Sequence, residues 1–131
     1  MLTLGINTAT ETESVCLLQG EQLIDEIQWR GNRDEAITLL PNIEQLLLRN
    51  SFVFKDIRKI IVVCGPGPYG ALRIGITVAN TLALALQAEL FEISAQEIET
   101  SLSAVIQQGH RKVKNVSPIY LRPPSITKAK K

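Results

Sequence analysis

The chain has few of the residues on which hydrolytic and metal chemistry depends. Its 131 residues include one histidine and two cysteines. Cys16 and Cys64 are too few for a zinc site. A lone histidine leaves most histidine-based nucleophile schemes without a base unless His110 supplies it. His110 sits in the polar connector Gly109-His110-Arg111-Lys112, where a solvated loop histidine is expected. No catalytic residue and no metal ligand is assigned. Both cysteines lie in apolar runs and are expected as buried free thiols of an intracellular protein, not as a disulfide. An excess of one charge is lacking too. A formal net charge of +1 gives no overall pull towards nucleic acid or anionic lipid. The Gly-Lys-Ser/Thr of a P-loop is absent. No signal peptide precedes the strand-like Leu2-Thr3-Leu4-Gly5-Ile6, so a cytoplasmic location is expected. The apolar run from Ile74 to Ala88 is shorter than the roughly twenty residues of a membrane span, and it is rich in Thr, Asn and Gly.

What is present is concentrated between Ile60 and Leu86. Ile60 to Cys64 is a short, mostly β-branched run, as expected of a central strand covered on both faces. Gly65-Pro66-Gly67-Pro68 stops it. No charged residue occurs from Ile74 to Ala88, so the helix expected there must be covered all round. Around this centre, Leu2, Leu4 and Ile6 alternate with smaller residues as one strand. Ser14 to Gln19 and Gln22 to Trp29 form a hairpin about Gly20. In the second of these, Leu23, Ile27 and Trp29 are expected on one face, with Ile24, Glu26 and Gln28 on the other.

A helix is expected from Asp34 to about Asn50, capped by Asp34 or Asn32 and bent or broken at Pro41. At 100° per residue its apolar positions cover an arc of about 200°. A helix that only lies on a core needs a stripe somewhat over 100° wide, so a second covered surface is implied. That surface is either a neighbouring helix or another protein. Leu90 to Ile93 reads as a short strand, Ala95 to Gln108 as a helix, Gly109 to Asn115 as a basic loop and Thr127 to Lys131 as a frayed tail. The order gives a mixed five-stranded sheet, a three-strand meander followed by βαβ units with packed helices. This is the layout of ribonuclease-H-like folds and actin-like halves. A single domain is expected over residues 1–131, comprising a first half to residue 94, a helix and basic connector over 95–117, and a C-terminal segment from 118.

Gly65 to Gly70 spells G-x-G-x-x-G, the dinucleotide fingerprint. Pro66 and Pro68 have no N–H to offer a phosphate, and three strands and a helix precede the motif. A structural turn is favoured. An anion or nucleotide contact through Gly65, Gly67, Gly70, Arg73, Asn7 and Thr8 is the alternative. Arg73 near a helix N-terminus needs a carboxylate, a partner or a phosphate. Arg111, Lys112, Lys114, Arg122 and the basic tail read as solvated charge before they read as an RNA contact.

Three motifs carry a resemblance. Leu4-Gly5-Ile6-Asn7-Thr8-Ala9-Thr10-Glu11 is similar to an A-I-D-T-A/S-T-E opening. Leu39 to Leu47 is similar to I-L-P-x-I-x-x-L-L. Gly65 to Gly75 is similar to G-P-G-S-F/Y-T-G-L-R-I-G, the most specific of the three. Pro118 to Arg122 adds a P-x-Y-L-R close. Together they resemble the TsaB (YeaZ) family of the tRNA threonylcarbamoyladenosine machinery. The chain departs from that pattern at Asn7 for Asp, Pro68 for Ser, Gly70 for Thr and Ala71 for Gly, and at Glu35 where His is common. Ser94 and Pro118 stand too close together to hold the family's second actin-like half, and half a cleft makes a poor catalyst. The resemblance implies a non-catalytic subunit that supports threonylcarbamoyl transfer by a TsaD-like catalytic partner, with a TsaE-like ATPase as a further partner and tRNA met indirectly. ATP would be bound only in a complex. The contact is expected on Leu39, Ile43, Leu46, Leu47, Ile74, Val78 and Leu82. A small nucleotide-binding or phosphotransfer domain, or a homodimer through the same helices, is the alternative.

Overall fold

Strand β1, Leu2–Asn7, is buried at every residue because strands flank it on both sides. The computed structural model describes residues 1–31, 34–97 and 111–117. β1 pairs antiparallel with β2, Thr12–Gln19, which pairs antiparallel with β3, Gln22–Arg30. On its other side β1 runs parallel to β4, Ile57–Val63, and β4 runs parallel to β5, Glu89–Ile93. A sixth strand, β6, Arg111–Val113, closes the order β3-β2-β1-β4-β5-β6. The five-stranded expectation is corrected here. β6 pairs antiparallel with Leu90–Glu92 inside the segment read as a basic loop. Three residues are too few for alternation to show.

Register places Leu4, Leu17 and Ile60 in one row and Ile6, Val15 and Val62 in the next, on a single face of the sheet. Helices α1, Glu35–Arg49, and α2, Tyr69–Leu86, lie on that face and touch each other. Leu39, Ile43, Leu46 and Leu47 of α1, with Leu72, Ile76, Ala79 and Ala83 of α2, complete the buried layer. The opposite face carries Gly5, Cys16 and Ile61 in one row, and both cysteines are buried. Burial raises the Cys16 thiol well above its ordinary value. α2 is long and apolar enough to cross a membrane, yet its buried residues serve the core, chiefly against β4.

Three local readings change. A register shift at Leu17/Leu18 makes Ile24 an extra residue. Leu23 therefore pairs with Leu18, while Asp25, Ile27 and Trp29 follow Leu17, Val15 and Glu13. α1 continues through the exposed Pro41 without a break, held by the buried Leu39 and Ile43 on either side. Asp34 occupies the N-cap but makes no side-chain cap bond. A 3-10 turn spans Ala95–Glu97, and the rest of the helix expected to Gln108 lies outside the described residues. So do Asn32, Arg33, His110, Pro118 to Arg122 and the basic tail.

Candidate functional site

The glycine turn is closely packed at Gly65 and Gly67. Gly65 has φ 110°, a conformation that favours glycine, and a cis bond joins it to Pro66. Its carbonyl accepts from the Ala95 N–H at 2.7 Å. Gly67 lies so close to the β1–β2 loop that a Cβ there would sit 2.8 Å from the Ala9 Cα and carbonyl oxygen. Asn7 is occupied with its own turn. Its Oδ1 accepts from the Ala9 N–H at 2.9 Å, and its Nδ2 donates to Thr10 Oγ1 at 2.7 Å. Thr8 is buried and its hydroxyl has no hydrogen-bond partner among the described residues. A Cβ on Gly75 would overlap that hydroxyl, so glycine is what lets α2 approach β1.

The residues expected for an anion or nucleotide contact differ in their surroundings. Gly65, Gly67, Asn7 and Thr8 are engaged in packing and turn bonds. Gly70 faces open space. Arg73 is exposed and stacks on Tyr69, its guanidinium 5.2 Å from the ring centre. Among the described residues, no group of His, Cys, Asp and Glu is placed to hold a metal.

Four of the helical contact residues, those on α1, are corrected too. Leu39, Ile43, Leu46 and Leu47 are 0–2% exposed, sealed against the sheet and out of reach of a partner. The surplus apolar arc of α1 lies on the opposite side, where Ile37 is 75%, Leu40 46% and Leu48 76% exposed. On α2, Ile74, Val78 and Leu82 are half-buried, and Leu84 is the exposed leucine at 82%. Around them Thr77, Thr81 and Ala85 are small and uncharged. Charge on these outward sides is confined, among the described residues, to Glu44, Arg49 and Arg73. Arg49 is held by Asp25, its Nε 2.6 Å from Oδ2.

Beside the turn opens a cavity of about 680 Å³ lined by Thr10, Glu13, Gly31, Glu35, Gly70 and Ile74, among others. Glu13 and Glu35 are both buried there. Trp29 Nε1 donates to Glu13 Oε1 at 2.9 Å. Burial first, and then the hydrogen-bonded Glu35 carboxyl, push Glu13 up to about 8. The sequence reading passed over this pair. Its signal was an acidic residue at a β2 position in phase with Val15 and Leu17.

A three-strand meander, a βαβ crossover and a closely packed glycine turn make this an actin-like half-domain whose surplus apolar surface is helical. The comparisons narrow the class. The family model for TsaD, tRNA N6-adenosine threonylcarbamoyltransferase, matches residues 31–117. The tRNA threonylcarbamoyladenosine biosynthesis protein TsaB of Bacillus subtilis is 30% identical over 120 residues, 92% of this chain and 50% of that protein. The tRNA N6-adenosine threonylcarbamoyltransferase of Nitrosospira multiformis is 31% identical over 109 residues, 71% of this chain and 31% of that one. The structure of YeaZ from Pseudomonas aeruginosa superposes with a TM-score of 0.66 at 31% identity, covering 71% of this chain and 43% of the other. The chain belongs to this threonylcarbamoyladenosine family, on its TsaB/YeaZ branch. It spans about half the length of the curated relatives it matches.

Proposed function

We propose that the chain is a cytoplasmic, non-catalytic partner subunit that supports TsaD-type threonylcarbamoyl transfer to the adenosine beside the anticodon of tRNA. It docks on a TsaD-like catalytic subunit through the outward sides of α1 and α2. Any ATP, or any TsaE-like ATPase, enters only with the assembled complex. The observation that carries this reading is the exposure of Ile37, Leu40, Leu48 and Leu84 on helices that already fill their own core. Burying one such side chain contributes roughly 1.5–3 kcal/mol. A phosphotransfer role is disfavoured, because Asn7 lacks the charge that Mg²⁺ prefers and Gly67 is pressed onto Ala9.

The test is co-purification of the full chain with a TsaD-type subunit. Ile37→Asp combined with Leu48→Asp is expected to abolish capture, with the far-UV circular dichroism unchanged. Undiminished capture overturns the proposal. The same apolar sides also favour self-association when no partner is present. If the two contacts share a surface, the TsaD-type subunit dissociates the homodimer.

A further inference from the structure

We infer that Glu13 and Glu35 form a proton-operated latch that fastens the first turn of α1 to the sheet, and with it the Ile37 end of the helix's outward side. This deepens the docking proposal and rests on it for its functional consequence.

Among the described residues, little else holds the first turn of α1. Of Glu35, Ala36, Ile37 and Thr38, the side chain that is buried is Glu35. Asp34 contributes no side-chain cap, and the bonds from the Ile37 and Thr38 N–H groups to the Asp34 carbonyl stay within the helix start. Glu35 meets Glu13 at Gly31, where a Cβ would sit 2.7 Å from Glu13 Oε2 and 3.4 Å from Glu35 Oε2. Glu13 is 2% and Glu35 4% exposed. Burial first, and then the neighbouring Glu35 carboxyl, favour the protonated form of Glu13, so a proton is held on Glu13 where it meets Glu35.

Among the described residues, the surroundings give that proton no substitute. Glu11 comes from the β1–β2 loop and is engaged by Arg30. Asp34 adds further negative charge. Pro68, Gly70, Ala71 and Ile74 line the α2 side and are uncharged, while Arg73 is turned to Tyr69. The one donor on the pair from β3 is the indole N–H of Trp29. When the proton leaves, two carboxylates repel, and the adjoining cavity gives Glu35 room to turn towards water. The first turn of α1 then loses its anchor.

Trp29 is the sole tryptophan of the chain, so it reports the latch directly. Its fluorescence in the full-length chain is expected to titrate with a midpoint near the pH of about 8 to which Glu13 is raised. Over the same range, amide exchange of residues 35–38 should rise faster than its intrinsic base-catalysed rate. Glu35→Gln donates permanently to the Glu13 carboxylate, so the transition should vanish and the protection persist. Glu13→Gln is the second variant should the first fail to fold. Emission that shows no transition between about pH 6 and pH 9.5, or the same transition in Glu35→Gln and Glu13→Gln, overturns the latch. In the complex, capture by the TsaD-type subunit should weaken about tenfold from pH 7 to pH 9 in the parent and not in Glu35→Gln. Equal capture at both pH values in the parent overturns the gating of docking. Absence of capture at either pH overturns the docking proposal instead, and the fluorescence judges the latch alone.

Discussion

Gly75 sits in the middle of an apolar helix, where glycine is a poor helix former, because Thr8 occupies the space a side chain would need. Gly75→Ala is expected to destabilise the chain by about 1–3 kcal/mol, read as a lower urea midpoint at unchanged slope. Thr8 itself is buried with its hydroxyl unpaired among the described residues, so it cannot turn away into a waiting bond. This residue pair was invisible in the sequence, since it joins positions far apart in the chain. The placement of Leu4, Ile6, Ile60 and Val62 was legible, because a two-residue period fixes the face. The placement of Leu39, Ile43 and Leu46 was not. A helix apolar on two sides yields the width of its arc but not which side meets the sheet. Glu13 was legible in principle, as a carboxyl in phase with core residues.

At the scale of the element, α1 is fastened at both ends by groups with opposite responses to pH. At its C-terminal end Asp25 accepts from Arg49, and from Asn50 Nδ2 at 2.8 Å. The Arg49 guanidinium holds the Asp25 carboxyl well below the usual carboxylate range. Folding then favours the ionised form. The stabilisation is present above the ordinary aspartate value and lost as pH falls below it. Glu13 runs the other way. Folding favours its protonated form, so its contribution is present below the ordinary glutamate value and is lost as pH rises through about 8. Asp25→Asn should therefore flatten the acid side of a plot of urea midpoint against pH, below about pH 4, and leave the alkaline side alone. A steep acid limb in that variant would assign the response to another group. The existence of α1, α2 and the hairpin could be read from period and turn residues. β6 and the extra residue Ile24 could not, because one is three residues long and the other interrupts an alternation that looks regular in the sequence.

At the scale of the whole molecule, the order of elements carried the class, and the prolines and Asn7 argued against a phosphate cradle. The packing of Gly67 on Ala9 closes that part of the turn. Calorimetry of the lone chain with ATP and Mg²⁺ should show no saturable binding tighter than about 1 mM. Micromolar affinity would restore the nucleotide reading. The outer strand β3 bears on how such a molecule survives among its own copies. Nine residues of strand at the rim of a sheet are a ready template for zipping neighbours together. Here the irregularity at Ile24 spoils the repeat, and Glu26 points an acidic group inward, one oxygen of which finds no mate among the described residues. Under the proposed docking, a protein sticky along its rods and repellent along its hem would be steered towards a discrete complex and away from an open-ended fibre.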